Sequence, residues 1–79
     1  MENKFILTEL KEGEVVEIIS VIGGQMATKR LADLGLTPGT KITVLRRAPF
    51  LGPIEIEVRG SKLVLGKGMA SKVLVKKHG

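Results

Sequence analysis

From Val15 to Val21 the chain is dense in β-branched residues, with Val15, Ile19 and Val21 on one face and Val16, Ile18 and Ser20 on the other. That pattern predicts a strand, half or wholly buried. Gly23 and Gly24 end it, and apolar residues then recur at Ala27, Leu31 and Leu34, the four-and-three spacing of one helical face. A helix over about 25–34 is predicted. Gly35 stands where a left-handed C-terminal cap favours glycine, Leu36 can pack back on the last turn, and Pro38 prevents continuation.

Two further strands are predicted at Lys41 to Arg47 and Ile54 to Arg59, where Ile54, Ile56 and Val58 alternate with Glu55, Glu57 and Arg59. The segment between them, Ala48-Pro49-Phe50-Leu51-Gly52-Pro53, has the residues of a hairpin tip. Pairing Arg47 with Glu55 sets Val44 opposite Val58 and Thr43 opposite Arg59, which matches charge with charge and apolar with apolar. A tight turn at Arg59-Gly60 leads to a strand over Lys62 to Leu65. Gly66 to Ser71 has room for one helical turn, and Val73 to Val75 closes the pattern.

Leu7 to Gly13 reads as a short entry segment. Strands joined by such short turns must curl to cover their own core. The predicted fold is mainly β: a small antiparallel SH3-like or OB-like barrel of about five strands, with one inserted helix at an end. At 79 residues and 43% hydrophobic content the chain suits one domain over 1–79 and has too much apolar material for disorder. There is no cysteine, hence no disulfide framework. Phe5-Ile6-Leu7 is too short for a signal-peptide core, and the Val15 to Ile22 stretch is broken by Glu17 and Ser20. A cytosolic protein is expected.

Charge changes the picture most in the second half. Residues 1–40 carry a formal −2 and residues 41–79 a formal +7. Such asymmetry attracts nucleic acid, an acidic protein face or an anionic membrane surface, although lysines also serve simply to solvate sheet edges. Single-strand binding by small barrels relies on aromatic platforms, as do proline-peptide grooves, and the aromatics here are Phe5 and Phe50. The alternative of a nucleic-acid-binding module using the basic half therefore rests on lysine and arginine contacts to phosphates.

Catalytic chemistry finds little material. One aspartate, one histidine and no tyrosine leave Ser20, Ser61 and Ser71 without a triad unless the tail histidine, His78, folds back. No catalytic residue is assigned, and no enzyme is expected. Gly66-Lys67-Gly68 is a fragment of a phosphate loop without the rest of the motif, so no cofactor is expected. Zinc and ferrous iron favour sites with several Cys or His ligands, which leaves the metal set empty. Glu55 and Glu57 could hold a hard cation, but a solvated face paired with Arg47 and Arg59 explains them.

One segment lacks a structural excuse. A hairpin tip that meets only water should be polar, yet this one carries Phe50 and Leu51 between Pro49 and Gly52-Pro53. The pair reads either as an anchor for a partner or as a plug for the open barrel end.

The run Arg30-Leu31-Ala32-Asp33-Leu34-Gly35-Leu36-Thr37-Pro38-Gly39-Thr40 resembles the signature of the FeoA family. Leu7-Thr8-Glu9-Leu10 with Gly13 resembles the family's opening. Ala48-Pro49-Phe50 with Gly52-Pro53-Ile54 resembles its central hairpin, and Leu63, Leu65, Ala70 and Val75 its closing segment. The resemblance implies an SH3-like barrel with an inserted helix. It implies a non-catalytic cytosolic accessory protein of ferrous iron transport that binds, and regulates or assembles, the membrane permease FeoB, placing it at the inner face of the membrane. Phe50 and Leu51, flanked by Arg46 and Arg47, are then the expected docking surface. A related barrel closes DtxR-like repressors, but no helix-turn-helix precedes it in this sequence, so a repressor role is not expected. Transition-metal binding is implied at family level only, because the matched positions bring no cluster of histidine, cysteine or aspartate.

Overall fold

A computed structural model describes residues 4–50 and 52–77. Its strands are β1 (Lys4–Ile6), β2 (Val15–Val21), β3 (Lys41–Arg47), β4 (Ile54–Val58), β5 (Ser61–Leu65) and β6 (Val73–Lys77). A 3-10 turn spans Leu7–Glu9, helix α1 spans Gly24–Asp33, and a one-turn helix α2 spans Lys67–Ala70. The strands form one antiparallel sheet in the order β1-β6-β2-β3-β4-β5. Helix α2 touches both β5 and the 3-10 turn that follows β1, so the outer edges of the sheet are drawn together around the core. This is the SH3-like arrangement with its inserted helix.

The alternation in β4 sorts as predicted, with Ile54, Ile56 and Val58 buried. In β2 the buried residues are Val16 and Ile18, and a bulge between Ile18 and Ser20 then turns Val21 toward the core, opposite Val73. The inward face therefore changes parity midway along the strand.

Helix α1 ends as its sequence dictates. Gly35 adopts φ +88, its amide donates to Ala32 O at 2.9 Å, and the Leu36 amide donates to Leu31 O at 2.9 Å. These are the two hydrogen bonds of a Schellman cap, and Leu36 and Leu31 are both buried against the core. Thr37-Pro38-Gly39-Thr40 then turns back, and Gly39 donates to Ile18 O at 2.7 Å, which ties the turn to β2.

The mainly β fold with its inserted helix is as expected, and two details are corrected, the place of Leu34 and the β3–β4 register. The sheet has six strands where about five were expected, because β1 pairs with β6 some seventy residues away in the chain, a relationship with no local signature. Leu34 is 41% exposed at the helix cap, and Leu36 takes the core position assigned to it. The β3–β4 register places Val44 opposite Ile56 and Thr43 opposite Glu57, two residues from the predicted pairing. A bulge between Val44 and Arg46 then brings Arg46 opposite Glu55 and Arg47 opposite Ile54. The one-turn helix α2 forms within Gly66 to Ser71, where the sequence has room for a single turn.

Candidate functional site

The loop joining β3 to β4 is closed at its base by the Ala48 amide, which donates to Pro53 O at 3.0 Å, and at its tip by the Gly52 amide, which donates to Pro49 O at 3.2 Å. Phe50 sits at the tip with φ 57, in the left-handed region that favours glycine or asparagine. Its side chain is 98% exposed. The plug alternative is thereby removed, since Phe50 stays outside the core. Leu51, the second half of the expected anchor, lies outside the described residues.

The two arginines have different surroundings. The bulge in β3 turns Arg46 outward, where it is exposed, while Arg47 is half-buried on the side of Ile54. The Arg47 guanidinium donates through Nη1 to Leu10 O and through Nη2 to Thr8 O, each at 2.7 Å, and its backbone amide donates to Glu12 Oε2 at 3.1 Å. Arg47 thus ties the base of the Phe50 loop to the segment after β1. A cleft of about 660 Å3 beside the loop is lined by Lys11, Glu12, Arg47, Ala48, Pro49 and Phe50. Lys11 and Glu12 escaped the sequence reading because only the folded chain brings residues 11–12 against residues 47–50.

The segment on the far wall of that cleft is itself held electrostatically. Glu14 accepts the Lys11 amide at 2.7 Å and pairs with Lys77 Nζ at 3.0 Å. The backbone hydrogen bond from Lys11, followed by the hydrogen bond from Lys77, holds the Glu14 carboxyl below the usual glutamate range. The same ammonium lies 4.9 Å from the centre of the Phe5 ring, so β1, β6 and the start of β2 meet at Lys77.

The remaining motif residues position rather than present. Gly35, Leu36, Pro38 and Gly39 form the helix cap and the following turn, and Pro49, Gly52 and Pro53 shape the Phe50 loop. Among the described residues, no group of three or more His, Cys, Asp or Glu side chains gathers into a metal-binding cluster. Glu55 stands opposite Arg46 and Val64, and Glu57 opposite Thr43 and Lys62, on the outer face of the sheet. Among the described residues, no helix is long and apolar enough to cross a membrane.

Comparison with known proteins gives the arrangement its context. Residues 6–77 match the FeoA domain. An Fe(2+) transport protein A of Methanocaldococcus jannaschii is 37% identical over 65 residues, covering 82% of this chain and 77% of the relative. The crystal structure of an iron uptake regulatory protein, FeoA, superposes with a TM-score of 0.88 at 39% identity, covering 95% of this chain and 99% of the other. The solution structure of a FeoA protein from Chlorobium tepidum gives 0.83 at 37% identity, covering 95% and 71%. A manganese-dependent transcriptional repressor has the same fold, with a TM-score of 0.87 at 18% identity over 99% of this chain and 44% of its own. With its domain match spanning nearly the whole sequence and the same fold in its relatives, the chain belongs to the FeoA family.

Proposed function

We propose that this protein is a non-catalytic accessory protein of ferrous iron transport that works in the cytoplasm by docking on the cytosolic face of the permease FeoB. The pathway follows from family membership. The observation that carries the docking is Phe50, a large aromatic side chain 98% exposed on a loop whose base is fixed by Arg47 and whose tip is closed by Gly52. An exposed aromatic on a rigid support loses little conformational freedom when it enters a pocket, which is the character of an interface anchor. Arg46 adds an outward cation beside it for orientation, Arg47 acts from beneath by holding the loop, and Leu51, the next residue in the sequence, is assigned to the same docking surface.

The test is a paired titration at physiological salt, with the isolated cytosolic domain of FeoB as one ligand and single- and double-stranded oligonucleotides as the others. The reading expects binding to the permease domain. Submicromolar oligonucleotide affinity with none for the permease would replace it by the nucleic-acid alternative, whose affinity should fall with slope about −0.7 to −0.9 in log salt per phosphate neutralised.

A further inference from the structure

The turn after α1 and the β4–β5 hairpin flank an open cleft of about 440 Å3 lined by Thr37, Pro38, Gly39, Thr40, Lys41 and Arg59. Among the described residues, two cations and two hydroxyls line it and no carboxylate does. Arg59 is the first residue of the two-residue turn between β4 and β5 and has φ 52, with Gly60 following at φ 82. Turns of this kind favour asparagine or aspartate before glycine, because a Cβ is crowded in the left-handed region. An arginine there needs another reason.

Its side chain supplies one. It reaches away from the turn toward the end of α1, where Nη2 lies 3.4 Å from Thr40 Oγ1. Thr40 is 7% exposed, and its hydroxyl is 3.0 Å from that of Thr37. When Thr40 donates to Thr37, the Thr37 proton is free to donate into the cleft. The guanidinium has five N–H donors, and among the described residues it makes this one long hydrogen bond. The contrast with Arg47, whose guanidinium is held by two carbonyls at 2.7 Å, is direct. Lys41 stands opposite Glu17 across the β2–β3 pair.

We infer that this cleft is a binding site for a phosphate group, free or carried on a small molecule. A planar guanidinium engages two oxygens of an oxyanion side by side, a hydroxyl supplies a donor from a second direction, and the Lys41 ammonium adds charge from a third. A tetrahedral phosphate has enough acceptor oxygens for all three, whereas a carboxylate has two. The cleft shares no lining residue with the cleft beside the Phe50 loop, so binding here can be measured apart from the docking proposed above.

The experiment is an amide NMR titration of the full chain at constant ionic strength with inorganic phosphate, with ATP and with acetate. Saturable shifts are expected at Thr37 to Lys41 and at Arg59 and Gly60 with phosphate or ATP. The tighter of those two ligands identifies whether the free ion or a phosphorylated molecule is the natural occupant. Arg59→Asn suits the left-handed turn and should fold, so it separates binding from stability. It should weaken phosphate affinity by about tenfold or more, the effect of losing a charge-assisted hydrogen bond. Acetate shifts equal to those of phosphate, shifts that never saturate, or unchanged affinity in a folded Arg59→Asn would each overturn the assignment.

Discussion

A Cβ built on Gly52 would lie 2.7 Å from the Cβ of Ala48, closer than two such carbons approach. The two residues flank the Phe50 tip, and the missing methyl is what lets the loop close there. Gly52 has no unusual φ, so space alone demands glycine at this position. Gly52→Ala should destabilise the fold by about 1 to 3 kcal/mol, the usual range for overpacking. A chemical denaturation curve matching the wild type would show that the loop opens at negligible cost.

Gly35 makes a different demand, through its φ of +88 rather than through crowding. Gly35→Val should lower stability by about 1 to 2 kcal/mol, because a residue with a Cβ is crowded in the left-handed region. Circular dichroism melting is the measurement, and an unchanged midpoint would contradict the cap.

Arg47 predicts a contrast with its neighbour. Arg47→Ala removes both donors to the Leu10 and Thr8 carbonyls, and hydrogen bonds to a charged group contribute about 1.5 to 3 kcal/mol. Arg46→Ala, at an exposed position, should stay within about 0.5 kcal/mol of the parent. Equal effects in thermal melts would mean that the loop base is not held as described.

Much of this was legible in the sequence, and the gaps have specific causes. The helix stop could be read because every atom of the cap belongs to residues 31–36. The β3–β4 hairpin is legible but its register is not: at the loop base Arg47 pairs with Ile54, one residue from the expected Glu55, and the bulge between Val44 and Arg46, which leaves no mark in the alternation of side chains, adds the second residue of the offset. That same bulge separates the outward Arg46 from the half-buried Arg47, so two adjacent arginines that look equivalent in sequence have different roles. The apolar tip was legible as an anomaly, but whether Phe50 faced core or solvent depended on how far the loop reaches from the sheet. Lys11 and Glu12 carried no signal, since their place beside Phe50 depends on pairing across the fold.

Glu14 makes the acid limb of stability testable. Its carboxyl is held below the usual range, so folding favours the ionised form. That contribution is fully present above the unfolded glutamate pKa and disappears as pH falls through the lower folded value. Glu14→Gln should therefore melt below the wild type at neutral pH, and the two curves should converge in acid. A constant difference across the range would assign the effect to something other than this ionisation.

Metal addition offers another check. With no gathered cluster of ligands among the described residues, anaerobic calorimetry with ferrous iron should give no tight stoichiometric isotherm. A tight isotherm that survives deletion of His78, which lies outside the described residues, would reveal a site in the barrel itself.

Phe50→Ala tests the central claim most directly, with melting and affinity for the FeoB cytosolic domain measured on the same variant. A side chain 98% exposed should leave stability within about 0.5 kcal/mol when truncated. Loss of an interface anchor should weaken permease binding by about 2 kcal/mol or more, roughly thirtyfold in Kd. A variant that folds like the wild type and binds thirtyfold less tightly is the predicted result. Unchanged affinity in a well-folded variant, or a loss of about 3 to 5 kcal/mol of stability as for a buried phenylalanine, would contradict the account.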